Sequence, residues 1–211
     1  MKVWLPSVLL LIWLAFSALF SVSLNEEIYF YAQQRSGVNA ENCGLDDAER
    51  MAFNQNVCKY LAGREDQIEG LSETARSHMT DVKRLFDLSR WILKISFALA
   101  VVTFVILPAR EKARFPRALC VSGAVFIGAM AAVGAFAAFR FDSLFTAFHR
   151  LVFSNDNWLL DPAEDVLIRV MPAEFFQRMV LYTGIAACLF TVIAWAASLA
   201  VRSILRRMKE L

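Results

Sequence analysis

The fold is decided by a run of small and apolar residues that contains no charge, ALCVSGAVFIGAMAAVGAFAAF at residues 118–139. Crossing about 30 Å of bilayer hydrocarbon takes roughly 20 such residues in a helix, so this run predicts a membrane-spanning helix. Three further runs have the same character, at residues 3–24, 91–107 and 179–201. The sequence therefore predicts an all-α polytopic membrane protein, with one integral membrane domain over residues 1–211 and four transmembrane helices.

The composition supports a membrane protein and gives no sign of a nucleic-acid partner. The chain of 211 residues is 58% hydrophobic with a mean hydropathy of +0.47, above the usual values for soluble domains. Its net charge is only +2, and its basic residues lie beside the apolar runs rather than in one patch. No ionisable residue lies near the middle of a predicted span, which argues against an ion pathway.

Basic residues predict which side of the membrane each segment occupies. They precede the first span, link the second to the third and follow the fourth: Lys2; Arg110, Lys112, Arg114 and Arg117; Arg202, Arg206, Arg207 and Lys209. The positive-inside rule places these segments and both termini in the cytoplasm, with residues 25–90 and 140–178 outside. The first run also has features of a signal peptide. Its length favours a retained span, and cleavage would leave three spans.

The first extracytoplasmic segment is expected to contain short helices. Apolar residues at helical spacing predict a helix over residues 45–61, with Gly63 just past its end. Ser72 is predicted to cap a second helix that continues to residue 107. We expect a kink in that helix near Arg90.

The second extracytoplasmic segment is expected to hold two short helices that lie in the interface. Ser143 should begin the first, because apolar residues follow it at helical spacing. Asp161 and Pro162 have the types favoured at a helix start, and Pro172 should end that helix. An Asn-Asp-Asn-Trp turn at residues 155–158 would join the two.

Cys43 and Cys58 lie in the predicted outer segment, where an oxidising compartment permits a disulfide. Such a bond would contribute on the order of 3 kcal/mol. The predicted helix opposes it, because Cys58 would lie about 18 Å along that helix at 1.5 Å per residue. We predict the bond, which requires the chain after Cys43 to double back and bring the two α-carbons within bonding range.

Small residues in the spans predict close helix packing rather than chemistry. Ala124, Gly128 and Ala132 recur at four-residue spacing, which lets a neighbouring helix backbone approach closely. Cys120 and Cys188 also lie within spans. We expect both to be apolar packing residues.

Chemistry is predicted around the only two histidines of the chain. His149 is followed by a polar cluster, and His78 lies three residues from Asp81, on the same side of a helix. A carboxylate in that position fixes the tautomer of a histidine and raises its basicity. The candidate constellation joins both motifs: His149, Asn155, Asp156, Asn157, Asp161, His78 and Asp81.

Each candidate also has a structural interpretation. A histidine near an interface is commonly an amphipathic residue without a catalytic role. Asn155 and Asn157 are residues that turns favour for local hydrogen bonding. Asp161 already has a predicted capping role, and Trp158 suits an interfacial anchor.

Common catalytic motifs are missing from the sequence. It has no HExxH, no CxxC and no third histidine for a zinc site, and no phosphate loop. No GxSxG or SxxK marks a serine nucleophile. We therefore predict neither a metal nor another cofactor. Acid–base work by histidine on a lipid head group fits these residues best.

Two longer stretches, HMTDVKRLF at residues 78–86 and FHRLVFSNDNWLLDPAEDVLIRVMPAEFF at residues 148–176, carry a family resemblance. With the looser KYLAG at residues 59–63 and the four-span layout, they resemble the lipoprotein intramolecular transacylase family of bacterial membrane proteins. By position, the resemblance implies functional roles for His149, Asn155, Asp156, Trp158, Asp161 and Asp165, and for His78 and Asp81. The pair Cys43 and Cys58 is not part of the family pattern.

The resemblance also implies an activity and a partner. Members of the family move the sn-2 acyl chain of a diacylglyceryl lipoprotein onto the α-amino group of its N-terminal cysteine. The chain is therefore expected to act without a cofactor on diacylglyceryl-modified lipoproteins and membrane lipid. The resemblance places it in the bacterial cytoplasmic membrane, with its site on the outer side. A non-catalytic scaffold or assembly factor, and a lipid- or lipoprotein-binding protein, are the alternatives.

A mechanism follows from the residue types. His149 is the expected base, and His78 and Asp81 orient or polarise. Side-chain amides of Asn155 or Asn157, or backbone N–H groups at the helix expected to start at Pro162, would stabilise the oxyanion.

Overall fold

Four long helices dominate the computed structural model, which describes residues 2–207. They are α1 (Trp4–Ser23), α5 (Glu73–Val105), α7 (Phe115–Val152) and α9 (Ala173–Arg207). All four are long and apolar enough to cross a membrane. Together with the absence of strands among the described residues, they confirm the all-α membrane fold. Lys209, one of the basic residues used to predict topology, lies outside the described residues.

Short helices occupy the segments between the long ones. They are α2 (Glu26–Arg35), α3 (Ala40–Cys43), α4 (Asp47–Ala62), α6 (Ala109–Lys112) and α8 (Val166–Val170). The helix predicted over residues 45–61 is confirmed as α4. Asp46 and Glu49 close a capping box at its start, and Gly63 ends it with a φ of 75°.

The helix α5 is longer than a membrane crossing requires. It has 33 residues, against the roughly 20 that span a bilayer. Its predicted cap is confirmed, because the Ser72 hydroxyl accepts a hydrogen bond from the Ala75 N–H at 3.0 Å. α5 runs uninterrupted through Arg90, so the kink expected there is absent.

The chain forms two compact units, and the first is built from apolar parts of the long helices. It comprises the residues up to Leu19, Ser89–Val133 and the residues from Thr183 onward. The side chains of Leu11, Leu14 and Leu119 are buried together in it. An added Cβ at Gly123 would lie 3.0 Å from Cγ2 of Thr191, so α7 and α9 approach closely there. Gly128, which the four-residue spacing predicted to lie at a helix contact, faces open space.

The second unit comprises Phe20–Leu88 and Gly134–Tyr182 and holds all the candidate site residues. Part of its interior is polar. The side-chain amides of Gln33 and Asn54 exchange two hydrogen bonds, at 2.8 and 3.0 Å, which offset the cost of burying them and fix α2 against α4. The buried Arg50 guanidinium donates to the Val38 carbonyl at 2.7 Å, whereas its Nε has no hydrogen-bond partner among the described residues.

The disulfide expected between Cys43 and Cys58 is wrong, because both thiols are buried and free. The Cys43 thiol contacts the Leu45 carbonyl at 3.4 Å, whereas the Cys58 thiol lies 3.9 Å from the Ser23 carbonyl. The two sulfur atoms therefore contact different carbonyl groups and not each other. Burial raises the pKa of the Cys58 thiol to about 12, and the nearby carboxylate of Glu26 adds to the effect.

Of two helix predictions for residues 140–178, one is confirmed and the other is corrected. The amphipathic helix expected to begin at Ser143 is present as the last part of α7, after a break at Arg140, where φ is −139° and ψ is 38°. Asp161 begins a turn rather than a helix: its carboxylate accepts from the Ala163 N–H at 2.8 Å. Its carbonyl accepts from the Asp165 N–H, also at 2.8 Å, and α8 begins only after Asp165.

Candidate active site

His149 lies in the last turns of α7, and its side chain is 7% exposed. Its Nδ1 atom is 2.7 Å from the carbonyl oxygen of Phe145, one turn earlier. Because a carbonyl oxygen can only accept, Nδ1 must carry the proton of this hydrogen bond. The neutral ring therefore has an unprotonated Nε2, which is the form that a general base needs.

Four aromatic rings surround the imidazole of His149. The Phe145 ring is tilted by 40° against it, with the ring centroids 4.0 Å apart, and the Trp158 ring lies at 4.9 Å. Phe148 and Phe153 each lie at 5.5 Å. These rings fix the orientation of the imidazole and lower the local polarity, which strengthens electrostatic interactions with it.

His78 projects from the first turns of α5 toward His149. The two ring centroids are 5.9 Å apart, and the His78 ring packs edge-on against Phe153 at 5.1 Å. Its Nδ1 atom is buried and has no hydrogen-bond partner among the described residues. A buried nitrogen without a hydrogen-bond partner costs free energy, so a hydrogen bond from a substrate group to this atom would be favourable.

The environment keeps both histidines neutral. They lie in the polar ends of their helices, outside the predicted spans 91–107 and 118–139. Burial lowers the pKa of His78 from 6.5 to about 4; the neighbouring His149 adds to this shift, and Asp81 opposes it. Burial also lowers the pKa of His149, against the opposing effect of its hydrogen bond to Phe145. Both imidazole rings are therefore uncharged at neutral pH.

The turn that follows α7 is held against α5 by two side-chain amides. Asn155 donates to the Asp81 carboxylate at 2.9 Å, and Asn157 donates to the Ser77 hydroxyl at 3.0 Å. Ser77 and Asp81 are one helical turn apart on α5, with His78 between them. The Asn155 side chain also accepts from the Asn157 N–H at 3.1 Å, so these residues form a turn as well.

Asp81 therefore has a different contact from the one its spacing suggested. It bonds to Asn155 and to the Arg84 guanidinium, at 2.8 Å, instead of fixing the tautomer of His78 through a hydrogen bond. Its negative charge still raises the pKa of His78. The carboxylate thus influences His78 by its charge and by anchoring the turn.

Asp165 is 4% exposed and accepts a short hydrogen bond from the Ser72 hydroxyl. The same hydroxyl caps α5, so Ser72 joins the start of α5 to the residue before α8. Arg169 of α8 donates to the Pro162 carbonyl at 2.8 Å and to the Cys43 carbonyl at 3.3 Å. These bonds hold the stretch between the turn and α9.

The structure brings together some of the predicted site residues and separates others. His149, His78 and Trp158 share one aromatic cluster, and Asn155, Asn157 and Asp81 border it through hydrogen bonds. Asp156 is exposed, Asp161 stabilises its own turn, and Asp165 bonds to Ser72. Within residues 2–207, no group of three or more His, Cys, Asp or Glu side chains is arranged to hold a metal ion.

Sequence reasoning misses Ser72, Ser77 and Arg169 as supports of this site. Ser72 was identified only as a cap, and Arg169 carries no motif signal beyond its position in α8. Ser77 offers a weak signal, because it lies one turn before Asp81 and beside His78.

Comparison with known proteins gives consistent matches. A family model described as lipoprotein intramolecular transacylase Lit matches residues 3–176. A solved structure of the lipoprotein intramolecular transacylase Lit from Bacillus cereus is 20% identical, with a TM-score of 0.83 over 98% of this chain and 96% of that one. A variant of that protein with a histidine replaced by arginine is 19% identical, with a TM-score of 0.80 over 99% and 93% of the two chains. No match is found among curated protein sequences.

Proposed function

Because the chain belongs to the lipoprotein intramolecular transacylase family, we propose that it moves the sn-2 acyl chain of a diacylglyceryl lipoprotein. The acceptor is the α-amino group of the N-terminal cysteine of the same lipoprotein, and the product is a lyso-form lipoprotein. One observation carries the proposal: the neutral His149, with Nε2 unprotonated, lies beside His78 in an aromatic cluster.

His149 is the base of the proposed reaction. An α-amino group has a pKa of about 8, so at neutral pH it is largely protonated and must first lose one proton to the solvent to become a nucleophile. As the neutral amine then attacks the carbonyl carbon of the ester, a C–N bond forms and Nε2 of His149 takes a second proton from the nitrogen. The bond between that carbon and the glycerol oxygen then breaks, and His149 returns the proton to this oxygen. The imidazole is regenerated and no acyl-enzyme forms.

The hydrogen bond from Nδ1 to Phe145 supports this role. It leaves Nε2 as the atom that accepts the proton, and the carbonyl stabilises the imidazolium that forms. Amine and ester belong to one substrate molecule, so holding them together near Nε2 lowers the entropic barrier.

His78 is proposed to bind the oxygen that becomes negatively charged. Its buried Nδ1 has no partner in the described part of the chain, and the low pKa of the ring keeps it a neutral hydrogen-bonding group. The other candidates were the side-chain amides of Asn155 and Asn157, which donate to Asp81 and Ser77 instead. Backbone N–H groups at a helix starting at Pro162 were also candidates, but residues 161–164 form a turn. Removing a donor of this kind costs about 100- to 1,000-fold in rate.

The proposed location is the bacterial cytoplasmic membrane, with both termini inside and the histidines at the outer surface. The distribution of basic residues beside the spans supports this orientation. Diacylglyceryl lipoproteins carry their acyl chains in the bilayer, so a site at the end of α7 can receive the ester from the membrane side.

The test uses the full chain in proteoliposomes with a diacylglyceryl lipopeptide, and mass spectrometry of the peptide product. We expect the acyl chain to move from glycerol to the amine with the wild type and to stay in place with His149→Ala. Arg150→Ala changes the exposed neighbouring residue and serves as the matched control. If the wild-type protein binds the lipopeptide without moving the chain, a binding protein is the better description. If it neither binds the lipopeptide nor moves the acyl chain, a non-catalytic scaffold is the better description.

A further inference from the structure

The position of His149 depends on a break in α7. Nine residues before it, Arg140 leaves helical geometry, with φ −139° and ψ 38°. Everything in α7 after this residue, including Phe145 and His149, takes its direction from the break. Sharp bends in helices without proline commonly occur where a side chain inserts into the hydrogen-bond ladder.

The side chain of Gln177 makes such an insertion. Its amide nitrogen donates to the carbonyl oxygen of Ala137 at 2.9 Å. In a regular helix, this carbonyl bonds to the N–H four residues later, which is on the far side of Arg140. Ala137 is 4% exposed, so few water molecules are available to satisfy a carbonyl at this point.

Gln177 is itself on a firmly held element. It lies in the second turn of α9, next to Phe176, whose ring contacts Phe145 at 5.5 Å. The preceding Phe175 packs edge-on against Tyr29 at 5.3 Å. The following Arg178 donates to the Ser36 hydroxyl at 3.1 Å. The start of α9 is thus fixed to α2 and can serve as a reference for the bend in α7.

We propose that Gln177 is a positioning residue for His149: it stabilises the break at Arg140 and thereby the direction of the last turns of α7. The inference rests on the proposed function, because only that function gives the position of His149 a catalytic consequence. Its side-chain amide donates to the Ala137 carbonyl and not to the imidazole, so any effect on catalysis acts through the position of His149.

The decisive variant is Gln177→Glu. The carboxylate is nearly the same size as the amide, but it has no N–H and repels the Ala137 carbonyl. A misplacement of about 1 Å costs on the order of 100-fold in rate, so we expect transfer about 10- to 100-fold slower than wild type near pH 8. Protonation of the carboxyl restores a donor, so the ratio of variant to wild-type rate should rise as the pH falls toward about 5. A general loss of folding would not produce this recovery.

The matched control is Glu174→Gln, the reverse exchange at an exposed position in the first turn of α9. It should keep the wild-type rate at each pH. A second readout is independent of activity: the distance distribution between spin labels at Arg150 and Arg64, both exposed, in a background with the native cysteines replaced. We expect this distribution to shift or broaden in Gln177→Glu and to stay unchanged in the control.

The outcomes separate this inference from the proposed function. If the wild type transfers the acyl chain and Gln177→Glu matches it in rate and in distance distribution, the positioning role is wrong. If the wild type transfers nothing, the proposed function fails, and an unchanged distance distribution would then also overturn the role of Gln177.

Discussion

Replacing Ser72 with alanine should destabilise the site region far more than an ordinary surface substitution. The Ser72 hydroxyl accepts from the Ala75 N–H at 3.0 Å and donates to the buried carboxylate of Asp165. Losing the cap costs about 1 kcal/mol. Losing a hydrogen bond to a charged group costs about 1.5–3 kcal/mol. The free energy of unfolding should therefore fall by about 2.5–4 kcal/mol.

This loss should be visible as a change in thermal stability in detergent. A chain of this size changes its Tm by about 2–4 °C per kcal/mol, so Ser72→Ala should lower the Tm by about 5–16 °C. Ser72→Thr keeps the hydroxyl and should stay much closer to wild type. Ser154→Ala, at an exposed position in the neighbouring turn, is the control and should change little.

The double substitution isolates the pairing. In an Asp165→Ala background, Ser72→Ala should cost only the cap, about 1 kcal/mol. An equal loss in both backgrounds would refute the idea that Ser72 and Asp165 hold each other, because the two effects would then be additive.

Three further results are expected. Since the pKa of His78 falls from 6.5 to about 4 on folding, the unfolded chain binds more protons below pH 6.5. The Tm should drop as the pH falls from 6.5 to about 4, and this drop should be smaller in His78→Phe. An unchanged dependence of the Tm on pH in that variant would contradict a neutral His78 ring in the folded protein. Gly123→Ala should lower the Tm because its Cβ meets an α9 side chain at 3.0 Å, whereas Gly128→Ala, which faces open space, should not. Asp81→Ala should free the turn at Asn155, seen as faster amide exchange there, and slow acyl transfer; equal exchange would rule out the anchor.

The membrane fold could be predicted because its signals are local. Each span is a continuous apolar run, and caps such as Ser72 and Gly63 lie within a few residues of the helix ends that they define. The proximity of His78 and His149 could also be expected, since both lie in predicted outer segments and were joined in one candidate constellation; their ring centroids are 5.9 Å apart.

Contacts distant in sequence explain what the residue patterns could not predict. Asp161 and Pro162 have helix-start chemistry, yet the helix begins only after Asp165, whose carboxylate bonds to Ser72, 93 residues away. The predicted outer compartment of Cys43 and Cys58 permits a disulfide, but each thiol contacts a separate carbonyl.

The break at Arg140 could be predicted as a boundary, because the predicted span ends at residue 139 and the next helix is expected to begin at Ser143. Its partner could not, since the amide that donates to the Ala137 carbonyl belongs to Gln177, 40 residues away. A pattern within one segment contains no information about such a partner.

The central claim is that Nε2 of His149 carries the proton from the amine to the glycerol oxygen. Its most direct test is chemical rescue of purified, folded His149→Ala with added imidazole, followed by mass spectrometry of the lipopeptide product. We predict almost no transfer by the variant alone and partial recovery that increases with the concentration of neutral imidazole. Transfer by the folded variant at the wild-type rate without imidazole would contradict the claim.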